Sequence, residues 1–213
     1  MRITKINPRY EHWRSFIGSV PDIFEQEGKE IYNKRNLIKV LTAPDGTAVN
    51  VKRYHVPHGP NRLVYSWGIR KPKCQRAFDY PMILKNKGIE TPEPIAIIEE
   101  RSWLGLLGYS YLITMQCDYG HTLYEVGDAK AGTYETLAKA LAHFAAKIHN
   151  GNVLHKDFTP GNVLWKQDDE GFHFSLVDIN RMHFGQVSAK QGLYNLRKFW
   201  GPKEFIRIIV TEY

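Results

Sequence analysis

Hydrophobic positions follow a two-residue rhythm in the first half of this chain and a helical one later. Residues 36–42 (NLIKVLT) and 47–54 (TAVNVKRY) flank Pro44-Asp45-Gly46, a turn signal that predicts a β-hairpin. In the second run Val49 and Val51 point one way, and Asn50 and Lys52 the other. Residues 73–87 have helical composition, but Pro81 lies inside, which predicts a kink or two short helices before Gly88. The extended link Thr91-Pro92-Glu93-Pro94 leads into a short strand at Ile95–Ile98. A second strand is predicted over Tyr109–Gln116. The uncharged stretch from Ser102 to Cys117 is broken by Gly105 and Gly108, so it reads as strand end, turn and strand, not as a membrane span.

The period changes after Cys117. Leu137, Leu141, Phe144 and Ile148 recur at helical steps behind Thr133, the expected N-cap. Asn150-Gly151 is expected to end that helix in the left-handed conformation. Val153-Leu154, a polar loop, Val163–Trp165, a turn at Asp168–Gly171 and Phe172–Val177 then predict a second hairpin. Residues 203–213 read as one terminal helix or strand. The order predicts two lobes, 1–117 and 118–213.

Between the helix and the second hairpin stands His155-Lys156-Asp157-Phe158-Thr159-Pro160-Gly161-Asn162, of the form H-x-D-x-x-x-x-N. Asp178 follows the next hydrophobic strand. Phosphoryl transfer needs a carboxylate to receive the proton of the attacking hydroxyl, oxygen ligands for magnesium, and a cation on the α- and β-phosphates. Asp157 suits the first task, Asn162 and Asp178 the second, and Lys52 in VNVK the third.

Taken in order, VNVK, Gly88-Ile89-Glu90-Thr91-Pro92-Glu93-Pro94, HKDFTPGNVLW and SLVDIN resemble the protein-kinase-like superfamily. More closely, they resemble the bacterial lipopolysaccharide core kinases of the Kdo/WaaP type. The resemblance implies an α+β, protein-kinase-like two-lobed fold with a β-rich N-lobe and a small, mostly helical C-lobe. It implies Asp157 as catalytic base, Asn162 and Asp178 as metal ligands, and Lys52 as the phosphate-binding lysine. Asp79, the one acid between Lys52 and Glu90, stands where the partner of Lys52 is expected. His155 braces the loop. ATP and Mg²⁺ are the implied cofactors, and a Kdo or heptose hydroxyl of the lipopolysaccharide core the acceptor.

The chain departs from the kinase pattern in four places. It has no G-x-G-x-x-G, Asn33-Lys34-Arg35-Asn36 occupying the position of the phosphate-covering turn. Asp178-Ile179-Asn180 replaces D-F-G, A-P-E is absent, and 35 residues follow Asp178. A catalytically weak or inactive kinase-fold binding protein, and a kinase for another small molecule or protein, therefore stay open as alternatives.

Charge narrows the partners. The net charge is +7, but residues 52–87 alone hold nine basic residues against Asp79. No nucleic-acid motif accompanies them, so an ATP phosphate, an anionic glycolipid or an anionic membrane surface is expected there, and no nucleic acid. Cys74 and Cys117 form no disulfide framework. The expected place is cytoplasmic, with peripheral contact on the inner face of the cytoplasmic membrane.

Overall fold

The computed structural model describes residues 1–34 and 36–213. Arg35, within the turn expected to cover phosphate, lies outside the described residues. By its contacts the chain divides into two compact units, Met1–Pro81 with Pro92–Cys117, and Met82–Thr91 with Asp118–Tyr213. The segment 82–91, placed with the first lobe on sequence, thus packs with the second.

The first unit contains β1 (Arg2–Ile6), α1 (Arg14–Ile23), β2 (Lys29–Asn33), β3 (Leu37–Thr42), β4 (Ala48–Tyr54), α2 (Pro60–Ser66), α3 (Lys73–Lys85, its last turn in the second unit), β5 (Pro94–Arg101) and β6 (Leu107–Met115). The six strands form one antiparallel sheet in the order β1-β5-β6-β4-β3-β2. Both expected features of the β3–β4 hairpin are present, with Gly46 at positive φ in its turn.

Alternation sorts the sheet residues between two faces. Val49, Val51, Ile95, Ile98, Tyr111 and Ile113 pack against Ile17, Val20 and Phe24. Ile97, Leu112 and Tyr54 pack on the other side against Cys74, Ala77 and Phe78 of α3. Burial pushes the Cys74 thiol up to about 12, so it is inert packing material. α3 continues as one helix through Pro81 and not as two short helices. Proline removes its own N–H and crowds the Ala77 carbonyl, which loses its helical donor, and packing of Cys74, Ala77 and Phe78 against the sheet holds the preceding turns.

The second unit contains β7 (His121–Thr122), α4 (Glu135–Asn150), β8 (Val153–His155), β9 (Val163–Asp168), β10 (Gly171–Leu176), β11 (Met182–Phe184), α5 (Ala189–Leu196) and α6 (Lys203–Glu212). α4 buries Leu137, Leu141, Ala145 and Ile148 and packs along α6. Thr133 is not its N-cap. Tyr134 stands at the N-cap with no side-chain cap bond, and the Glu135 carboxylate instead ties the residues before the helix, accepting from Gly132 N (2.7 Å) and Tyr134 N (3.1 Å). Nor does Gly151 take the left-handed turn. Its φ is −72°, and Asn152 at φ 59° makes the reversal one residue later.

The segment Lys87–Thr91 is fastened within this unit by several bonds, the Tyr119 hydroxyl donating to the Glu90 carboxylate among them. Lys147 Nζ donates to Gly88 O (2.6 Å), Lys87 Nζ to Gly151 O (2.8 Å), Leu176 N to Glu90 O (2.9 Å) and Thr91 Oγ1 to Leu176 O (2.7 Å). Ile89 is buried between them.

Candidate active site

In the second unit, the segment from β8 to the 3-10 turn at Pro160–Asn162 carries Asp157 and Asn162. Its centre is His155, which is fully buried. His155 Nδ1 accepts from Asp157 N at 3.0 Å, and Nε2 donates to Val177 O at 3.1 Å. One nitrogen accepts and the other donates, so the ring is neutral with its proton on Nε2. A second tie is the Asn162 side chain, whose Nδ2 donates to Asp157 O at 2.8 Å. A third is Val177 N, which donates to Asn162 O at 3.0 Å. Asp157, Asn162 and the residue before Asp178 are thereby bound into one hydrogen-bonded unit. Phe158 anchors it from below, fully buried against Phe199 with ring centroids 4.7 Å apart. Gly161 has no room for a side chain, since a Cβ there would lie 2.5 Å from the Tyr124 ring.

Two residues the sequence did not single out reach the Asp157 carboxylate. Lys198 Nζ stands 3.3 Å from Oδ1 and also donates to Lys156 O, and Arg181 Nη1 stands 3.7 Å from Oδ2. They come from beyond α5 and from beside Asp178, at separations no local motif reports. Behind the loop, Asn195 Nδ2 donates to His155 O (3.1 Å), and Asn195 Oδ1 meets His149 Nε2 (3.2 Å). His149 Nδ1 meets the hydroxyl of Tyr213 (2.8 Å).

Burial holds both His155 and His149 below the ordinary histidine pKa, because it disfavours the charged ring. The unfolded chain then binds protons first as pH falls. The stabilising contribution is present above about pH 6.5 and is lost as pH drops through the folded-state values. Denaturant midpoints are expected to fall between about pH 7 and about pH 5, with a shallower slope in H155Q. Identical slopes would contradict this.

Asp178 sits at φ 52°, ψ 42°, the left-handed region that Asp tolerates better than most residues. Asn180 Nδ2 donates to its Oδ1 at 2.6 Å. Asn180 Oδ1 is buried with no hydrogen-bond partner among the described residues, so an oxygen acceptor is left over beside the carboxylate. Among the described residues no three His, Cys, Asp or Glu side chains form a metal cage. Magnesium on a nucleotide needs only one or two protein carboxylates alongside phosphate oxygens. Asp178, with the Oδ1 of Asn162 whose Nδ2 is already used, fits that donor set.

In the first unit, Lys52 lies on the face of the sheet that α3 covers. It belongs to a cross-strand row, Lys5–Ile97–Leu112–Lys52–Ile38. Its Nζ is 5.2 Å from the centre of the Tyr54 ring. Asp79 is not brought to it. Asp79 Oδ1 pairs with Lys5 (2.8 Å) and Oδ2 with Lys71 (3.2 Å). Burial alone would raise its pKa, but the two lysines outweigh this and hold it below the ordinary carboxylate value. Lys5 and Lys52 are three strands apart, roughly 14 Å, and α3 turns Asp79 toward the β1 edge with Gln75. Asp79→Asn is therefore expected to cost at most about 1 kcal/mol in stability, the pairs being partly exposed, and to leave nucleotide affinity unchanged. A large affinity loss by titration calorimetry would return Asp79 to the phosphate site.

The sheet with α3, the H-x-D-x-x-x-x-N loop and the strand-end Asp define the class: this is a protein-kinase-like fold. Residues 27–200 match the profile described as the Lipopolysaccharide kinase (Kdo/WaaP) family, and the chain belongs to that family. Among solved structures it is similar to WaaP in complex with acyl carrier protein, with 15% identity and a TM-score of 0.58 over 99% of this chain and 88% of that one. It is also similar to the Rio2 kinase in its ADP/Mg²⁺-phosphoaspartate complex from Chaetomium thermophilum, with 14% identity and a TM-score of 0.56 over 94% of this chain and 59% of that one. Comparison with curated proteins gives no sequence match. No helix among the described residues is long and apolar enough to cross a membrane.

Proposed function

We propose that this chain transfers the γ-phosphoryl group of ATP, with Mg²⁺, to a Kdo or heptose hydroxyl of the lipopolysaccharide core. The observation that carries the reading is the single hydrogen-bonded unit of His155, Asp157, Asn162 and Val177, beside the strand-end Asp178. Family membership supports phosphotransfer as the chemistry.

Asp157 receives the proton as the acceptor oxygen bonds to the γ-phosphorus; the bond from that phosphorus to the β,γ-bridging oxygen breaks and ADP leaves. The neutral His155 fixes the backbone of Asp157, and Lys198 and Arg181 hold its carboxylate between them. Lys198 and Arg181 also place positive charge where an anionic acceptor or the transferring group arrives. Asp178 and Asn162 hold the metal, which when bound would screen charge on the phosphate oxygens. Lys52 orients the α- and β-phosphates, Asp79 being engaged by Lys5 and Lys71. WaaP's complex with acyl carrier protein makes a carrier protein a partner class to test by co-purification.

The test in cells is mass spectrometry of envelope glycolipids with and without the protein. Loss of one phosphate from a core sugar is expected when the protein is absent. Identical glycolipids would overturn the assignment of acceptor.

A further inference from the structure

Four of the most exposed large apolar side chains of the first unit stand on two joined segments, the end of α2 with the residues after it and the β5–β6 connection. Trp103 is 91% exposed, Ile69 71%, Trp67 68% and Leu104 62%. Trp103 and Leu104 form the tip of the β5–β6 connection, closed by Ser102 N to Leu106 O (2.9 Å) and Gly105 N to Ser102 O (3.0 Å). Gly105 at φ 75° makes that tight turn possible.

The tip is clipped to the end of α2. Arg101 Nη1 donates both to Ser66 O (3.2 Å) and to Gly105 O (3.0 Å). Leu107 N donates to Ser66 Oγ (2.8 Å), and Arg62 Nε to Leu107 O (2.9 Å). Trp67 and Leu104 are thus each one residue from carbonyls that share one guanidinium nitrogen. The patch is preformed, so seating it orders little new chain.

On the side of α2 and the start of α3 the charge is one-sided, while beside the tip Glu99 is paired by Arg101 and Glu100 by Arg2. From residue 54 to 78 the sequence has Arg62, Arg70, Lys71, Lys73 and Arg76 and no acid. Arg70, Lys71 and Lys73 are exposed, Lys71 sharing Asp79. Large exposed aromatic and aliphatic tips followed in the chain by exposed cations match the boundary of an anionic bilayer, where tryptophan sits at the headgroup level and each cation adds attraction.

From this we infer that Trp67, Ile69, Trp103 and Leu104 seat this protein on an anionic lipid surface, with Arg70, Lys71 and Lys73 against the headgroups. The inference gains its purpose from the reading above, in which the acceptor is a membrane glycolipid, but its test needs neither nucleotide nor acceptor. A failure of phosphoryl transfer and a failure of docking are therefore separate results.

The test is flotation of the whole chain with phosphatidylcholine vesicles, with and without phosphatidylglycerol, at low and high salt. The chain is expected to float with the anionic vesicles and not with phosphatidylcholine alone. W67S/W103S and R70E/K73E are each expected to weaken partitioning by about tenfold or more while melting like the parent. Three results would overturn the inference. The parent chain fails to float at low salt, or W67S/W103S floats as well as the parent. The third is capture of an acyl carrier protein that depends on these residues without any binding to vesicles, which would make the patch a protein interface.

Discussion

Asp157→Asn is expected to lower turnover by roughly 10²–10⁴-fold while the protein stays folded and nucleotide affinity changes little. Asparagine keeps the shape of the side chain and removes its capacity to take a proton. The backbone bonds that place residue 157, from its N to His155 Nδ1 and from Asn162 Nδ2 to its carbonyl, do not depend on the carboxylate. Lys198 and Arg181 lose their partner, but the pairs are partly exposed and Lys198 keeps the Lys156 carbonyl, so the stability cost is at most about 1 kcal/mol. Steady-state turnover with a chemical melt of the same sample separates the two effects. Turnover equal to the parent's would remove Asp157 from the base position. Loss of folding would mean that its carboxylate is structural.

Asp178→Asn is expected to abolish the magnesium-dependent part of ATP binding. Thermal shift with ATP, with and without Mg²⁺, reads it directly: the parent gains stability with the metal present, on the order of 2–3 kcal/mol at ligand a hundredfold above its dissociation constant, and the variant gains none beyond ATP alone. Asparagine is chosen because residue 178 is left-handed at φ 52°, and Asn adopts that backbone about as readily as Asp. Asp178→Ala would mix two effects, adding about 1–2 kcal/mol of backbone strain to the lost ligand. Equal magnesium dependence in the parent and Asp178→Asn would take the metal away from this residue.

What could be read from the sequence follows from which interactions are local. The β3–β4 and β9–β10 hairpins were legible because their turns, at Asp45-Gly46 and Asp168–Gly171, sit between alternating runs. α4 was legible from its apolar stripe, though its start was not, because the Thr133 hydroxyl is turned back to the Lys130 carbonyl and the helix begins one residue later, at Tyr134. Pro81 ends no helix because the packing of Cys74, Ala77 and Phe78 on the sheet offsets the lost hydrogen bond and the ring clash of an interior proline, which local sequence does not report. The loop residues were legible as a spaced motif. Lys198 and Arg181 were not, since their approach to Asp157 depends on where the chain beyond α5 and the turn after Asp178 are packed. Asp79 was misplaced for the same reason: a helix composition does not say which side of α3 faces Lys52, and the register of Lys5 with Ile97 decides it. The exposed apolar patch was invisible because Trp67 and Trp103 are far apart in sequence and their segments are joined through the bonds of Arg101 and Leu107 to Ser66.

The central claim is tested most directly by incubating the purified chain with ATP, Mg²⁺ and a dephosphorylated lipopolysaccharide core glycolipid, and weighing the acceptor by mass spectrometry. The parent chain is predicted to add one phosphate to a core sugar, and Asp157→Asn to add none over the same time. An acceptor left unphosphorylated by the parent chain, or phosphorylated equally by the variant, would contradict the account.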